Sequence, residues 1–446
     1  GLNAHTWYEE TVYKIGLPSN RLQQWAEIES DRFVNPVFRL FHTELETVYE
    51  EKNRSLDNAG RIIGTAIDEL LYKVHPYGQQ PTIGTVDHLK NPSLVYIQDY
   101  FNTYYVPNNM GIFLSGDINI EETIALISEK FGHWASKPIP EVGPWPEPSI
   151  QGAERRTVQY PGEEQVSIAF RTAENGHEDK EALVLVDMIL DNRTAGLINL
   201  NLTQQQLVSS AGSSPLFLND YGSQNLYGVP KPDQSLEEVE QLLLDQLALI
   251  KAGEFEDWII PAIINDFKKN EKAGLEFNRA RVDTMRQSFI EGSDWDYHVA
   301  EINRMEQLTK DDVVAVANKY FGGNYISVYR IDDQHTLPPV EKPQIDPVTI
   351  DPTRQSEFAA YILSMPFDEI EPAFVEADSD YRVIEFADGV DLYYAPNPLN
   401  DLFTFSIGIE VGTEENEKLG LSAALLDVAG TPSMSNEELQ KEWDRM

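Results

Sequence analysis

The chain has 446 residues and not one cysteine. That absence removes disulfide frameworks, thiolate metal sites and cysteine nucleophiles together. Positive charge is also scarce. Lys plus Arg number 34 against 74 Asp plus Glu, for a formal net charge of -40. A field of that sign repels phosphate backbones, so nucleic acid is excluded as a partner. No apolar run approaches the length that spans a bilayer. No P-loop, G-x-G-x-x-G or G-x-S-x-G elbow stands between a strand and a helix, and neither H-E-x-x-H nor H-x-x-E-H occurs. What remains is ample core material: 41% of residues are hydrophobic and 10% aromatic. Length predicts two to four domains. The opening Gly1-Leu2-Asn3-Ala4-His5 has the character of neither a signal peptide nor a natural start.

Two proline-rich stretches divide the chain, because proline fixes φ and donates no backbone hydrogen bond. The first carries Pro138, Pro140, Pro144, Pro146 and Pro148; the second carries Pro338, Pro339, Pro343, Pro347 and Pro352. The first part is helical after a short strand-like start. Helical spacing joins Leu22, Trp25 and Ile28, then Phe41, Leu45 and Val48, then Ile62, Ile63, Ala66, Leu70 and Val74. A helix from Pro92, a strand at Met110–Ser115 and a helix through Ile120, Ile124, Ile127 and Phe131 follow. The second part predicts strands at 156–160, 165–171, 216–219 and 224–229, with helices at 182–190, 236–250 and 258–289. Leu89, Leu94, Ile97 and Phe101 share their spacing with Leu308, Val313, Val316 and Tyr320. Each set precedes a strand, which points to an internal repeat. The third part predicts strands at 381–386, 390–395 and 402–411 and a helix at 422–428. Strands in runs with helices grouped apart define an α+β class.

Glu44 and Glu51 lie seven residues apart, nearly two helical turns, so both carboxylates project from one helix face. A solvated acidic face explains that spacing, since Glu46 and Glu50 lie in the same segment. A metal site would need imidazole partners. His42 stands four residues from Glu46, an ordinary helix-surface spacing. His75 falls in His75-Pro76-Tyr77-Gly78, a turn with a structural histidine. His133, His177, His298 and His335 are isolated.

The order of several short words resembles the M16 (pitrilysin/insulinase-type) zinc metallopeptidases built from related repeats. Those words are Gly1-Leu2-Asn3-Ala4-His5-Thr6, Thr11-Val12-Tyr13, the Glu44-to-Glu51 spacing and His75-Pro76-Tyr77-Gly78 with Gly84-Thr85. Further along come Pro107-Asn108-Asn109-Met110 with Gly116-Asp117, and 388–394 with Gly412-Thr413. The resemblance implies repeated domains like those of the mitochondrial processing peptidase, each an antiparallel sheet packed with helices. It divides the chain into a first domain at 1–137, a linker at 138–150, a second domain at 151–335, a connecting segment at 336–379 and the opening of a third at 380–446. It implies that Glu51 is the third zinc ligand beside two histidines, with Glu44 supporting the site from one helical face away. Asn3 and Ala4 match edge-strand positions whose backbone pairs with an extended peptide substrate. His5 matches a side-chain pocket near the scissile bond. Zinc is the implied cofactor, peptides the substrates, and a second half of the same polypeptide the partner that closes a chamber.

The H-x-x-E-H helix of that family is missing from these residues, and both histidine ligands and the general-base glutamate go with it. The expectation is an internal fragment, inactive alone, of a zinc endopeptidase acting on peptides or short unfolded segments. The alternative is a non-catalytic M16-like subunit serving peptide binding or assembly. Solubility is the preferred explanation of the acidic charge; the other is an acidic chamber wall that steers basic or unstructured peptides. A cysteine-free chain fits a bacterial periplasmic or secreted setting.

Overall fold

A computed structural model describes residues 1–90, 92–334, 349–426 and 428–446. Pro338, Pro339, Pro343, Pro347 and His335 lie outside the described residues. The chain opens with a hairpin, β1 (Leu2–Thr6) and β2 (Thr11–Ile15), followed by helices α1 (Leu22–Val34), α2 (Phe41–Leu56) and α3 (Ala59–Leu71). Asn58 starts α3 by accepting the Arg61 amide at 3.0 Å, as expected of an N-cap side chain. Helices α4 (Leu94–Tyr104) and α5 (Ile120–Phe131) complete the first part.

The second part is built on five strands: β3 (Ala153–Gln159), β4 (Gln165–Thr172), β5 (Ser210–Phe217), β6 (Gly222–Val229) and, last in sequence, β7 (Tyr325–Ile331). Between them come α6 (Lys180–Leu190), α7 (Leu236–Ala252), α8 (Ile259–Gly274), α9 (Asn278–Ile290), α10 (Trp295–Val299), α11 (Glu301–Met305) and α12 (Lys310–Tyr320). The spatial order is β3-β7-β4-β6-β5. All neighbours run antiparallel except β3 and β7, which pair in parallel from Ala153↔Tyr325 to Gln159↔Ile331. The sheet is therefore antiparallel but for this one parallel pair, within the α+β fold that was expected.

Strand side chains alternate across the sheet. Val166, Ile168 and Phe170 of β4 face a core with α6, α7 and α12, including Leu185, Ile189, Val239, Leu243 and Val313. Ala169, Ile326 and Val328 face the other way, onto Ile63, Ala66, Ile67 and Leu71 of α3. A helix of the first part thus covers one face of the second part's sheet. On the first face Glu240 of α7 is buried. It accepts Arg155 Nη2 at 2.9 Å, the Tyr325 hydroxyl at 2.7 Å, Ser327 Oγ at 2.9 Å and the Tyr329 hydroxyl at 2.5 Å. Burial pushes its pKa up, but these donors outweigh it and hold the carboxyl below its usual range.

Beyond residue 349 come α13 (Glu357–Ser364), the hairpin β8 (Arg382–Ala387) and β9 (Val390–Tyr394), α14 (Lys418–Leu426) and α15 (Asn436–Arg445). Helix α15 meets the second part through polar groups. Asp444 accepts Asn192 Nδ2 at 3.0 Å and Thr194 Oγ1 at 2.8 Å, while Gln440 accepts Gln204 Nε2 at 2.7 Å.

Three expectations need correction. Met110–Ser115 and Leu402–Val411 are irregular. A strand needs a ladder partner for its backbone groups, and among the described residues neither segment has one. The repeat's helix-then-strand order consequently holds at α12 and β7 but not after α4. The single helix expected over 258–289 is broken at Leu275–Phe277, just after Gly274, where the low helix propensity of glycine ends α8.

Truncating Ile63 on the α3 face that covers the sheet leaves a void between two elements that cannot both collapse into it. Ile63→Ala should lower stability by about 2–5 kcal/mol in urea unfolding, and hydrogen exchange should speed up in both α3 and β7.

Candidate functional site

The hairpin positions Asn3, Ala4 and His5. Gly1 and Gly16 exchange backbone hydrogen bonds at 3.1 Å in both directions, and Trp7 N donates to Glu10 O at 2.9 Å. By antiparallel alternation, residues 3 and 5 bond to β2 while the backbone groups of residues 2, 4 and 6 point to the outer edge. Among the described residues that edge has no partner strand. Ala4 therefore presents its backbone outward, whereas the Asn3 backbone faces β2. Asn3 instead offers its side chain, whose Oδ1 accepts the Ala4 amide at 2.8 Å. An incoming strand would have to replace that bond.

The hairpin's turn is fastened to the rest of the protein by acids. The Tyr8 hydroxyl donates to Asp68 of α3 at 2.7 Å. Glu9 accepts the Tyr77 hydroxyl, and the Asn219 amide at 2.9 Å. Glu10 Oε1 lies 3.2 Å from His5 Nε2 and accepts Arg286 Nη1 of α9 at 3.4 Å. His5 is thereby tied through one carboxylate to a helix of the second part. Burial raises the pKa of Asp68 to about 6, against the opposing hydrogen bond from Tyr8, and burial likewise raises that of Glu9.

His75 is a buried structural group. Its Nδ1 accepts the Tyr77 amide at 3.1 Å, which leaves Nε2–H to donate to Asp220 Oδ2 at 2.8 Å. Tyr77, Trp145 and Tyr221 surround the ring. Sequence reasoning missed Glu147, one of two acids in the first proline-rich stretch. It accepts the amides of Lys73, Val74 and His75 at 2.9, 2.7 and 2.6 Å. Its place between Pro146 and Pro148 was the available signal.

Glu44 and Glu51 both lie on the exposed side of α2, whose buried side carries Leu45, Tyr49 and Lys52. Neither makes a side-chain hydrogen bond or ion pair among the described residues, whereas Glu46 and Glu50 on the same helix do interact. His42 is exposed on α2 against Phe41. Among the described residues no three His, Cys, Asp or Glu side chains group as a metal site. Zinc takes three or four protein ligands. The described residues, with Glu51 standing apart from any imidazole, do not fit it.

Comparison with known proteins agrees with this architecture. Residues 95–267 match the family described as Peptidase M16 inactive domain. The zinc protease PqqE of Helicobacter pylori is 26% identical over 342 residues, 72% of this chain and 73% of that protein. The probable zinc protease PqqL of Escherichia coli is 28% identical over 150 residues, 32% of this chain but only 16% of its own length. The crystal structure of a protease from Helicobacter pylori superposes with a TM-score of 0.69 at 22% identity, covering 74% of this chain and 82% of that one. The periplasmic protease PqqL from Escherichia coli gives 0.60 at 17%, covering 99% of this chain and 53% of that one. Over residues 95–267 the chain is thus similar to the M16 peptidase family. No helix among the described residues is long and apolar enough to cross a membrane.

With its pKa raised in the folded state, Asp68 contributes stability that is full below about pH 4 and is lost as pH rises through about 6. Asp68→Asn should therefore flatten the stability profile between those values and leave the variant the more stable at pH 8, as read by thermal melts across pH.

Proposed function

We propose that this chain belongs to a zinc-dependent endopeptidase and forms the part that receives an extended peptide. The observation that carries this reading is the edge of β1, unpaired among the described residues, held in place by Tyr8, Glu9 and Glu10 and presenting the backbone of Ala4. An open edge strand is a template for main-chain pairing. Kinship to zinc proteases supports the reaction class. Glu51 is the residue we assign to the metal and Glu44 the one that supports it. Both are exposed and unpartnered among the described residues, as groups awaiting a further element would be. The histidines and the general base would come from an H-x-x-E-H helix outside this sequence, and the chamber would be closed by a further half. A periplasmic setting follows the printed location of the relative PqqL.

A second reading is a non-catalytic M16 subunit that binds peptide or aids assembly; retention of both Glu44 and Glu51 leans against it. The two differ at Glu51. When this chain is joined to an H-x-x-E-H element, the peptidase reading expects Glu51→Ala to abolish zinc binding and Glu44→Ala to weaken it about 10–100-fold. The subunit reading expects neither change to matter. Calorimetry on the chain alone should show no tight stoichiometric zinc; tight binding that Glu51→Ala removes would refute the assignment of missing ligands.

The edge itself is tested by Ala4→Pro, which deletes the outward amide. Binding of a fluorescent extended peptide should weaken about tenfold or more, with the circular dichroism spectrum unchanged. Equal affinity in variant and parent would remove β1 as the receiving strand.

A further inference from the structure

His5 stands next to Ala4 on β1, and its side chain lies on the opposite face of the hairpin from that of Ala4. The imidazole is 35% exposed. Among the described residues only one of its nitrogens is engaged. Nε2 lies 3.2 Å from Glu10 Oε1, and Nδ1 has no hydrogen-bond partner. An ionised carboxylate accepts and cannot donate, so Nε2 carries the proton and Nδ1 of the neutral ring keeps its lone pair.

Glu10 is itself held from two sides. Its backbone carbonyl accepts Trp7 N at 2.9 Å, which closes the hairpin turn. Its side chain is 8% exposed, and Oε1 also accepts Arg286 Nη1 of α9 at 3.4 Å. Arg286 in turn stands 3.5 Å from Asp283 on its own helix. A half-exposed imidazole is thus set by a buried carboxylate that the second part secures. Without such a partner the ring would exchange tautomers freely.

The setting of the ring matters because of what would lie beside it. A peptide on the outer edge of β1 would bond to the backbone of residues 2, 4 and 6. Its residue opposite His5 would then occupy a non-hydrogen-bonded pair, where side chains approach most closely and share one face. That side chain meets a nitrogen that can only accept, with a carboxylate bonded to the ring's other nitrogen. From this geometry we infer that Glu10 is a positioning residue that fixes His5 as a hydrogen-bond acceptor, and that His5 selects peptides with a donor side chain, such as Gln or Thr, beside it and rejects a carboxylate there. The inference rests on the reading of β1 as the receiving strand and adds a side-chain preference to it. Gln, Met and Glu are close in size. Gln donates to Nδ1, Met leaves it without a bond, and Glu sets one acceptor against another.

The test uses the full chain at about pH 8, above the ordinary imidazole range. Nitrogen NMR of the His5 ring should show the proton on Nε2. An extended alanine–valine host peptide, fluorescently labelled, carries Gln, Met or Glu at each position in turn. At one position Gln should bind about fivefold tighter than Met and about tenfold tighter than Glu. His5→Phe should bring Gln and Met within about twofold of each other. Glu10→Gln lets the ring carry its proton on Nδ1, so the preference for Gln over Glu should fall at least about fivefold while the Met peptide binds as before. A merely structural role would weaken all three peptides alike. The NMR and the peptide series are read in the parent chain, so a misfolded variant does not shield the inference. A proton on His5 Nδ1, equal binding of Gln and Met at every position, or an unchanged preference in folded His5→Phe would overturn it. Peptides that bind, and weaken with Ala4→Pro, yet show no preference would remove only the role of His5 and Glu10. No binding by any peptide would remove the receiving strand, and this inference with it.

Discussion

The packing of α3 against the sheet is the contact on which the rest depends. Its apolar stripe of Ile63, Ala66, Ile67 and Leu71 lies over Ala169, Ile326 and Val328. A five-stranded sheet with helices on one face alone would leave its second face to water, and α3 closes it. The same helix carries Asp68, which holds Tyr8, so the hairpin that offers the open edge is fixed by the element that seals the sheet. A loss of packing in α3 reaches the candidate site through Tyr8 without any change in β1 itself.

Around that seam the protein uses buried acids as fasteners. Glu9, Glu10 and Glu240 each collect donors from more than one element, Glu147 gathers three consecutive amides, and Asp68 holds the Tyr8 hydroxyl. Their energetics differ. Glu240 is so well supplied that its charge is favoured in the fold, and replacing it would strand hydroxyls and a guanidinium. Asp68 has the Tyr8 hydroxyl as its one donor among the described residues against its burial, so its charge is a burden above about pH 6. In a chain with 74 acids, acidic residues thus serve as internal connectors as well as surface charge.

Much of the second part was legible in the sequence because its signals are local. The run Val166 to Phe170 of β4, apolar except for Ser167, marks a strand buried on both faces, and the three-to-four-residue spacing in α6, α7 and α12 marks their buried stripes. What covers the second face of β4 was not legible, because α3 and β7 are brought together only by the tertiary fold. The same reason undid the strands expected at 110–115 and 402–411: alternation describes a segment's preference, but a ladder requires a neighbour. Of the candidate site, the Glu44 and Glu51 spacing could be read directly, and the edge position of Ala4 came only from the family resemblance. The inward turn of the Asn3 backbone depends on the phase of the hairpin ladder, and the tie from His5 through Glu10 to Arg286 joins residues far apart in the chain. Neither leaves a mark in composition or periodicity.

The position of β7 has a consequence for how the protein is made. Last of its sheet to leave the ribosome, it lies between β3 and β4, so β3 has no ladder at all until residues 325–331 emerge. At translation rates of roughly 5–20 residues per second, the nascent chain waits on the order of ten seconds or more with an unsatisfied strand and half a sheet. Any chaperone or solubilising charge that matters during synthesis has that interval in which to act, and the surplus of acids in the intervening sequence keeps neighbouring nascent chains apart while it lasts.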